Sequence, residues 1–397
     1  MRTLRSFAVA ALGALAAVVL LSPTAAAAGA DSPSRALRTQ LPIVTINSDP
    51  KIADRRKVTA RMRIIDGRGL NRVADRARVY DGQIGIELRG SSSLLLPKKQ
   101  YGLETREREG DERDVRLLGL PKEDDWVLHA PFNDKSLLRN AAAYTFSRML
   151  GRYASRTRFV EVVLNGRYQG VYVLMEKLEL GSKRVDVDDG AGVEAFLVER
   201  TTEIKVKATD HIFRLPVSGL PVIWSDPERS DLSASEADGI KGYVSDFERA
   251  LYADAFLDPV HGYGRFLDVA AAVDYVLVVE LFKTRDGFDN SFYMHRGAGT
   301  LLRFGPVWDF DWSSGISPPP EVHTDPEGWI GAGRPWSERL YADPAFMRRV
   351  ADRWRELRAQ GCSSDSTERS NDTRATFAGP RPATFGAGGT PATSSPR

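Results

Sequence analysis

The stretch from Glu280 to Gly315, ELFKTRDGFDNSFYMHRGAGTLLRFGPVWDFDWSSG, constrains this chain more than any other. Its first residues close an apolar helical segment, and Asp286, Asp289 and Asn290 stand at the helix exit. A short strand pair follows, and then Trp308-Asp309-Phe310-Asp311. A fold that accommodates this order must turn a helix end into a hairpin and bring Asp286 and Asp309 back to one place. Phosphoryl-transfer enzymes use such an inventory. One Asp orients or deprotonates the attacking hydroxyl, and a second Asp with an Asn holds magnesium on the phosphates. The same residue types also cap helices and close hairpins, and spacing alone leaves both readings standing.

The rest of the sequence narrows the class. At 397 residues the chain is long enough for two lobes with a substantial core, and 42% apolar with 27% charged residues describes a globular protein. The net charge of +2 gives no ground for a nucleic-acid partner. Cys362 stands alone, which excludes a disulfide framework, and His129, His211, His261, His295 and His323 never fall at metal-ligand spacing.

The N-terminus predicts export. Arg2 and Arg5 precede the apolar run Phe7 to Leu21, Ser22-Pro23 breaks it, and cleavage is expected near Ala28 or Ala30. The run is shorter than the roughly 20 residues of a membrane span, so a cleaved leader over 1–30 is preferred to an uncleaved anchor. Residues 31–40 read as a linker, 41–358 as the folded part, and the Ser/Thr/Gly/Ala/Pro-rich 359–397 as a tail unable to bury a core.

Within the folded part, alternation of apolar residues predicts strands over 41–46, 58–65, 77–88 and 126–129. Two stronger ones, 156–164 and 168–178, flank the hairpin turn Asn165-Gly166, and 194–200 and 211–216 add more. Asn133 or Asp134 is expected to cap a helix to about Leu150, and a helix is expected to end near Leu251. Asp268 should cap another, with Val269, Val273, Val276, Leu277 and Leu281 as one buried stripe and Glu280 salt-bridged on that face. A last amphipathic helix is expected over 344–358. Arg89-Gly90-Ser91-Ser92-Ser93, followed by Pro97-Lys98-Lys99, offers a small-residue loop and two lysines to phosphate oxygens; a solvated hairpin is the plainer reading.

Taken in order, RGSSS with PKKQYGL, Trp126 with NDKSLLRN, NGRYQGVYVLMEKL, DGFDNSFY and PVWDFDWSSG resemble the spore-coat-protein-H (CotH) kinase family from about Leu41 to Arg358. The resemblance implies an α+β, atypical protein-kinase-like two-lobed fold, with a strand-rich N-lobe over about 41–190 and a more helical C-lobe over 191–358. It implies transfer of phosphate from ATP, with Mg²⁺ or Mn²⁺, to a protein substrate in the exported or surface compartment. Asp286 would be the catalytic Asp, Asp309 and Asn290 would hold the metal, and Lys99 with Lys98 would contact phosphates. Asp289 and Asp311 would support them or only form turns. Arg303 stands where an aromatic residue facing the base would be expected. A non-catalytic binding, adhesion or coat-assembly module on the same fold is the competing class.

Overall fold

The computed structural model describes residues 34–187, 195–316 and 325–361. The leader and nearly all of the C-terminal tail lie outside them. Seven strands in the first half form a closed barrel. They are β2 (Ile43–Asn47), β3 (Val58–Ile65), β5 (Tyr80–Arg89), β6 (Gln100–Arg106), β7 (Asp125–His129), β8 (Thr157–Leu164) and β9 (Arg167–Glu176). Two short strands, β1 (Arg38–Thr39) and β4 (Asn71–Arg72), pair beside it. Neighbouring barrel strands run antiparallel except at the seam, where β2 and β8 pair in parallel with Ile43 opposite Glu161.

Period-two alternation fills the barrel. Val44 and Ile46, Met62 and Ile64, Ile84 and Ile86, Trp126 and Leu128, Val160 and Val162, and Tyr172 and Leu174 share one buried interior. Val127, Phe159, Val173 and Met175 point the other way into a second core. The barrel wall is thus apolar on both faces along β7, β8 and β9, which is why these strands read so strongly in the sequence. Asn165 and Gly166 both take positive φ, 48° and 76°, as the tight hairpin between β8 and β9 requires.

The second core joins a five-stranded sheet to helices. Its strand order is β11 (Ile212–Arg214), β12 (Pro221–Asp226), β10 (Phe196–Arg200), β13 (Phe292–Arg296), β14 (Arg303–Phe304). Helices α1 (Arg139–Met149), α2 (Ala234–Tyr252), α3 (Val269–Phe282), the single turn α4 (Asp286–Asp289), α5 (Ser337–Tyr341) and α6 (Pro344–Gly361) complete it. The chain is therefore α+β. Although α1 lies between two barrel strands in sequence, its Ala141, Ala143 and Tyr144 belong to the second core. Among the described residues no helix is long and apolar enough to cross a membrane.

Three expectations are corrected. Helix α1 begins at Arg139, not at Asn133 or Asp134, because the Asp134 carboxylate closes a turn ahead of it. That carboxylate accepts from the backbone N–H groups of Ser136 and Arg139, each at 2.9 Å, and pairs with the Arg139 guanidinium. Strand β12 was not foreseen, since Pro221 opens it and its later residues are polar. Helix α3 carries no single stripe: every residue from Ala271 to Glu280 is buried, while Leu281 is 47% exposed. It is a central helix, packed against α1, α6 and β14. Its Asp268 cap is as expected, accepting from the Ala271 N–H at 3.0 Å. Glu280 pairs with Lys283 at 3.6 Å, and it also accepts from the Ile330 and Gly331 N–H groups and the Tyr341 hydroxyl. That network anchors the segment leading into α5.

Candidate functional site

A cleft of about 370 Å³ lies where the barrel's β5 end meets the second sheet. From the barrel side come Asp54, Arg55, Glu87, Arg89 and the Gly90–Ser93 loop. The second sheet and its loops bring Glu199, Lys205, Lys207, Asp210, Tyr293, Trp308, Asp309 and Asp311. Gly90 has φ 118°, and a Cβ there would fall 1.9 Å from Ser93 Oγ, so the loop folds back on itself as only glycine permits. The Lys99 amine donates to the Leu94 carbonyl at 2.6 Å and braces this loop from behind.

The acid cluster is built by the segment that drew attention in the sequence. Asp309 sits at φ 64°, a left-handed conformation that Asp tolerates better than most residues. Its backbone N–H donates to the Tyr144 hydroxyl at 3.2 Å, and the next N–H, of Phe310, donates to Asn140 Oδ1 at 2.6 Å. The Asn140 amide then donates to His129 Nε2 at 3.1 Å, and His129 Nδ1 lies 3.0 Å from Gln100 Oε1. Because Asn140 oxygen is committed to Phe310 N–H, its NH₂ faces His129, which fixes the imidazole as the neutral Nδ1–H tautomer. Burial holds the His129 pKa down at about 4, against the pull of Asp309. This relay ties β6 and β7 of the barrel to α1 and to the Asp309 loop.

Burial pushes the Asp311 carboxyl well above the usual carboxylate range, and the adjacent, hydrogen-bonded Asp309 adds to it. Asp286 adjoins the cleft without lining it. Its Oδ2 lies 4.0 Å from Lys205 Nζ, and its Oδ1 accepts from the Asn290 amide at 3.0 Å. Burial raises the Asp286 carboxyl, Lys205 opposes the rise and Asp309 adds to it. Glu199, on β10, is half-buried, and desolvation raises it to about 7, with Tyr293 hydrogen-bonded to it. Burial disfavours the charged Lys205 amine, but Asp309, Asp286, Glu199 and Asp311 more than offset this and raise its pKa. The guanidinium of Arg89 stands 5.5 Å from the Trp308 ring centroid, and Trp308 stacks on Tyr144 at 5.8 Å.

The residues singled out in the sequence thus separate. Asp286, Asn290, Asp309 and Asp311 are brought together. Asp289 is held by Arg285 at 2.8 Å and by Arg334, a structural pairing. Lys98 and Lys99 do not line the cleft: the Lys98 amine donates to the Val171 carbonyl above the Tyr172 ring, and burial lowers its pKa to about 8. Arg303 pairs with Asp268 at 3.1 Å and lines a different pocket, so it does not face this cleft. Sequence reasoning missed Lys205, Glu199 and the His129–Asn140 relay. Arg89, in RGSSS, and Asn140, the last residue of NDKSLLRN, lay inside recognisable motifs; Lys205 follows β10 in a polar loop with no pattern to mark it. Asp114, Glu123 and Asp124 also approach within 4.8 Å of one another, but none lines this cleft.

The fold and cleft define a mixed α+β protein with a buried carboxylate group set against arginine and lysine side chains. The family model described as CotH kinase protein matches residues 86–373, and the chain belongs to that family. No curated protein matches the chain.

Proposed function

We propose that this chain is an exported atypical protein kinase that transfers the γ-phosphate of ATP to a hydroxyl side chain of an exported or surface protein. The barrel serves as the N-lobe and the sheet with its helices as the C-lobe. The observation that carries this reading is the juxtaposition in one cleft of the Asp309–Asp311 pair, adjoining Asp286, with four cations, Arg55, Arg89, Lys205 and Lys207. A triphosphate brings several negative charges, which the cations match, while the carboxylates suit a divalent ion on those phosphates.

The donor set fits Mg²⁺ or Mn²⁺. Asp311 is buried and its carboxyl, hydrogen-bonded to the half-buried Asp309, is pushed above the usual carboxylate range; a dication between the two would relieve that crowding of like charge. Asp309 and Asp311 would hold the ion, which when bound neutralises charge on the phosphates. Asp286 orients the acceptor hydroxyl and takes its proton as the hydroxyl oxygen bonds to the γ-phosphorus and the bond to the bridging oxygen breaks, releasing ADP. Arg89, from the RGSSS loop, and Lys205 contact the phosphates in place of Lys98 and Lys99, whose amines are turned onto backbone carbonyls. Export rests on the N-terminal pattern.

Incubating purified 31–397 with labelled ATP and either Mg²⁺ or Mn²⁺ tests the reading. Label should appear on the chain or on an added acceptor. Nucleotide binding without transfer under both metals would favour the non-catalytic module instead.

A further inference from the structure

Asn290 stands four residues after Asp286, where a kinase-like reading assigns it to the metal. The residue is 9% exposed, and its side chain is engaged on both sides. Oδ1 accepts from the Thr202 hydroxyl at 2.6 Å, and from the Thr202 N–H and the Thr201 hydroxyl at 3.3 Å each. Nδ2 donates to Asp286 Oδ1 at 3.0 Å. The amide cannot be turned over. A backbone N–H only donates, so it requires the oxygen, and the reversed amide would set that oxygen against the Asp286 carboxylate. The oxygen that would ligate a cation therefore faces the loop after β10 and is taken up by its three donors.

We infer that Asn290 and Thr202 are positioning residues that hold the Asp286 carboxylate, and that Asn290 is not a metal ligand. The inference rests on the phosphoryl-transfer reading of the cleft. The same loop carries Lys205, which approaches the other Asp286 oxygen at 4.0 Å. One loop thus addresses both oxygens of the carboxylate, supporting Asn290 in its hydrogen bond to one and setting the amine 4.0 Å from the other. A carboxylate oriented in this way presents a lone pair in one direction, which is what accepting a proton from a bound hydroxyl demands. Thr202 does not line the cleft and its hydroxyl donates to Asn290, so its effect on turnover should pass through Asn290.

The test uses the full mature chain and follows kcat, KM for ATP with Mn²⁺, and the pH profile of kcat. Thermal melting of each variant confirms folding. Thr202→Val should lower kcat about tenfold with KM for ATP within about twofold, the signature of an interaction felt in turnover and not in nucleotide binding. Loss of the oriented N–H donor should also move the acidic limb of the profile to higher pH, because that bond favours ionised Asp286. Thr202→Ser, which keeps the hydroxyl, should restore both. Asn290→Asp separates the two roles. It would strengthen a metal site, but here it sets a second carboxylate against Asp286, and kcat should fall about 100-fold without tighter Mn²⁺–nucleotide binding. A wild-type chain that transfers phosphate while Thr202→Val matches it, or Thr202→Ser is as slow as Thr202→Val, overturns this inference alone. So does tighter Mn²⁺–nucleotide binding by Asn290→Asp. A wild-type chain with no transfer overturns the reading of the cleft and this inference with it.

Discussion

Asn140→Leu removes the hub of the connection between the barrel and the Asp309 loop at nearly constant volume. Asn140 is 4% exposed and joins two buried partners, the Phe310 N–H at 2.6 Å and His129 Nε2 at 3.1 Å. Leucine leaves both without their protein partner. Each orphaned group costs about 1–3 kcal/mol, so the variant should lose about 2–6 kcal/mol. Urea unfolding followed by tryptophan fluorescence measures it as a lower midpoint at unchanged slope. Trp308 stacks on Tyr144, whose hydroxyl accepts the Asp309 N–H, so the signal also reports on the loop itself. Asn140→Asp keeps the acceptor for Phe310 and loses the donor to His129. Its deficit should shrink as pH falls, because the new carboxylate raises the His129 pKa and the resulting ion pair is present below it and lost above it. A loss below about 0.5 kcal/mol for Asn140→Leu would be that of an indifferent surface change and would refute the relay.

Two further outcomes follow from the charges. Burial holds His295 at about 4, with Nδ1 on the Gly305 carbonyl, so the unfolded chain takes up a proton near pH 6.5 that the folded chain refuses. Between pH 7 and pH 5 the wild type should therefore lose about 2 kcal/mol more than His295→Gln in paired urea titrations, and equal losses would contradict the assigned burial. Comparing the two chains cancels the opposite contribution of Glu199, raised to about 7. Lys205→Met should weaken binding of a non-hydrolysable ATP analogue about tenfold, while Lys98→Met should stay within about twofold. The reverse ranking, read by calorimetry, would return the phosphate contact to the barrel lysine.

Much of the barrel was legible because its strands obey one rule, alternate burial, and Asn165-Gly166 marks its tightest hairpin. Helix α3 was found but misread: alternation of Val and Ala with larger residues suggests a stripe, whereas a central helix buries every side and shows no period. Strand β12 escaped because a proline opens it, a polar Ser-Asp pair closes it, and its pairing partner, β10, supplies the order. In the site, Asp286 and Asp309 were legible because their motifs lie on either side of one hairpin. Lys205 and Glu199 were not, since what places them is the pairing of β10 with β13, a contact between segments distant in sequence. Lys98 and Lys99 looked like phosphate ligands by proximity to the RGSSS loop, yet strand direction turns both amines onto carbonyls.

The pair Asp309→Asn and Asp286→Asn tests the central claim most directly, by isothermal titration with a non-hydrolysable ATP analogue and Mg²⁺ beside a transfer assay. Each change removes a charge at nearly constant shape. Asp309→Asn should weaken Mg²⁺-dependent nucleotide binding together with turnover, because it takes a negative charge from beside the dication. Asp286→Asn should leave that affinity within a few-fold and lower transfer by about 100-fold or more. Wild-type transfer by Asp286→Asn, or unchanged binding and turnover in both variants, would contradict the assignment of this cleft to phosphoryl transfer.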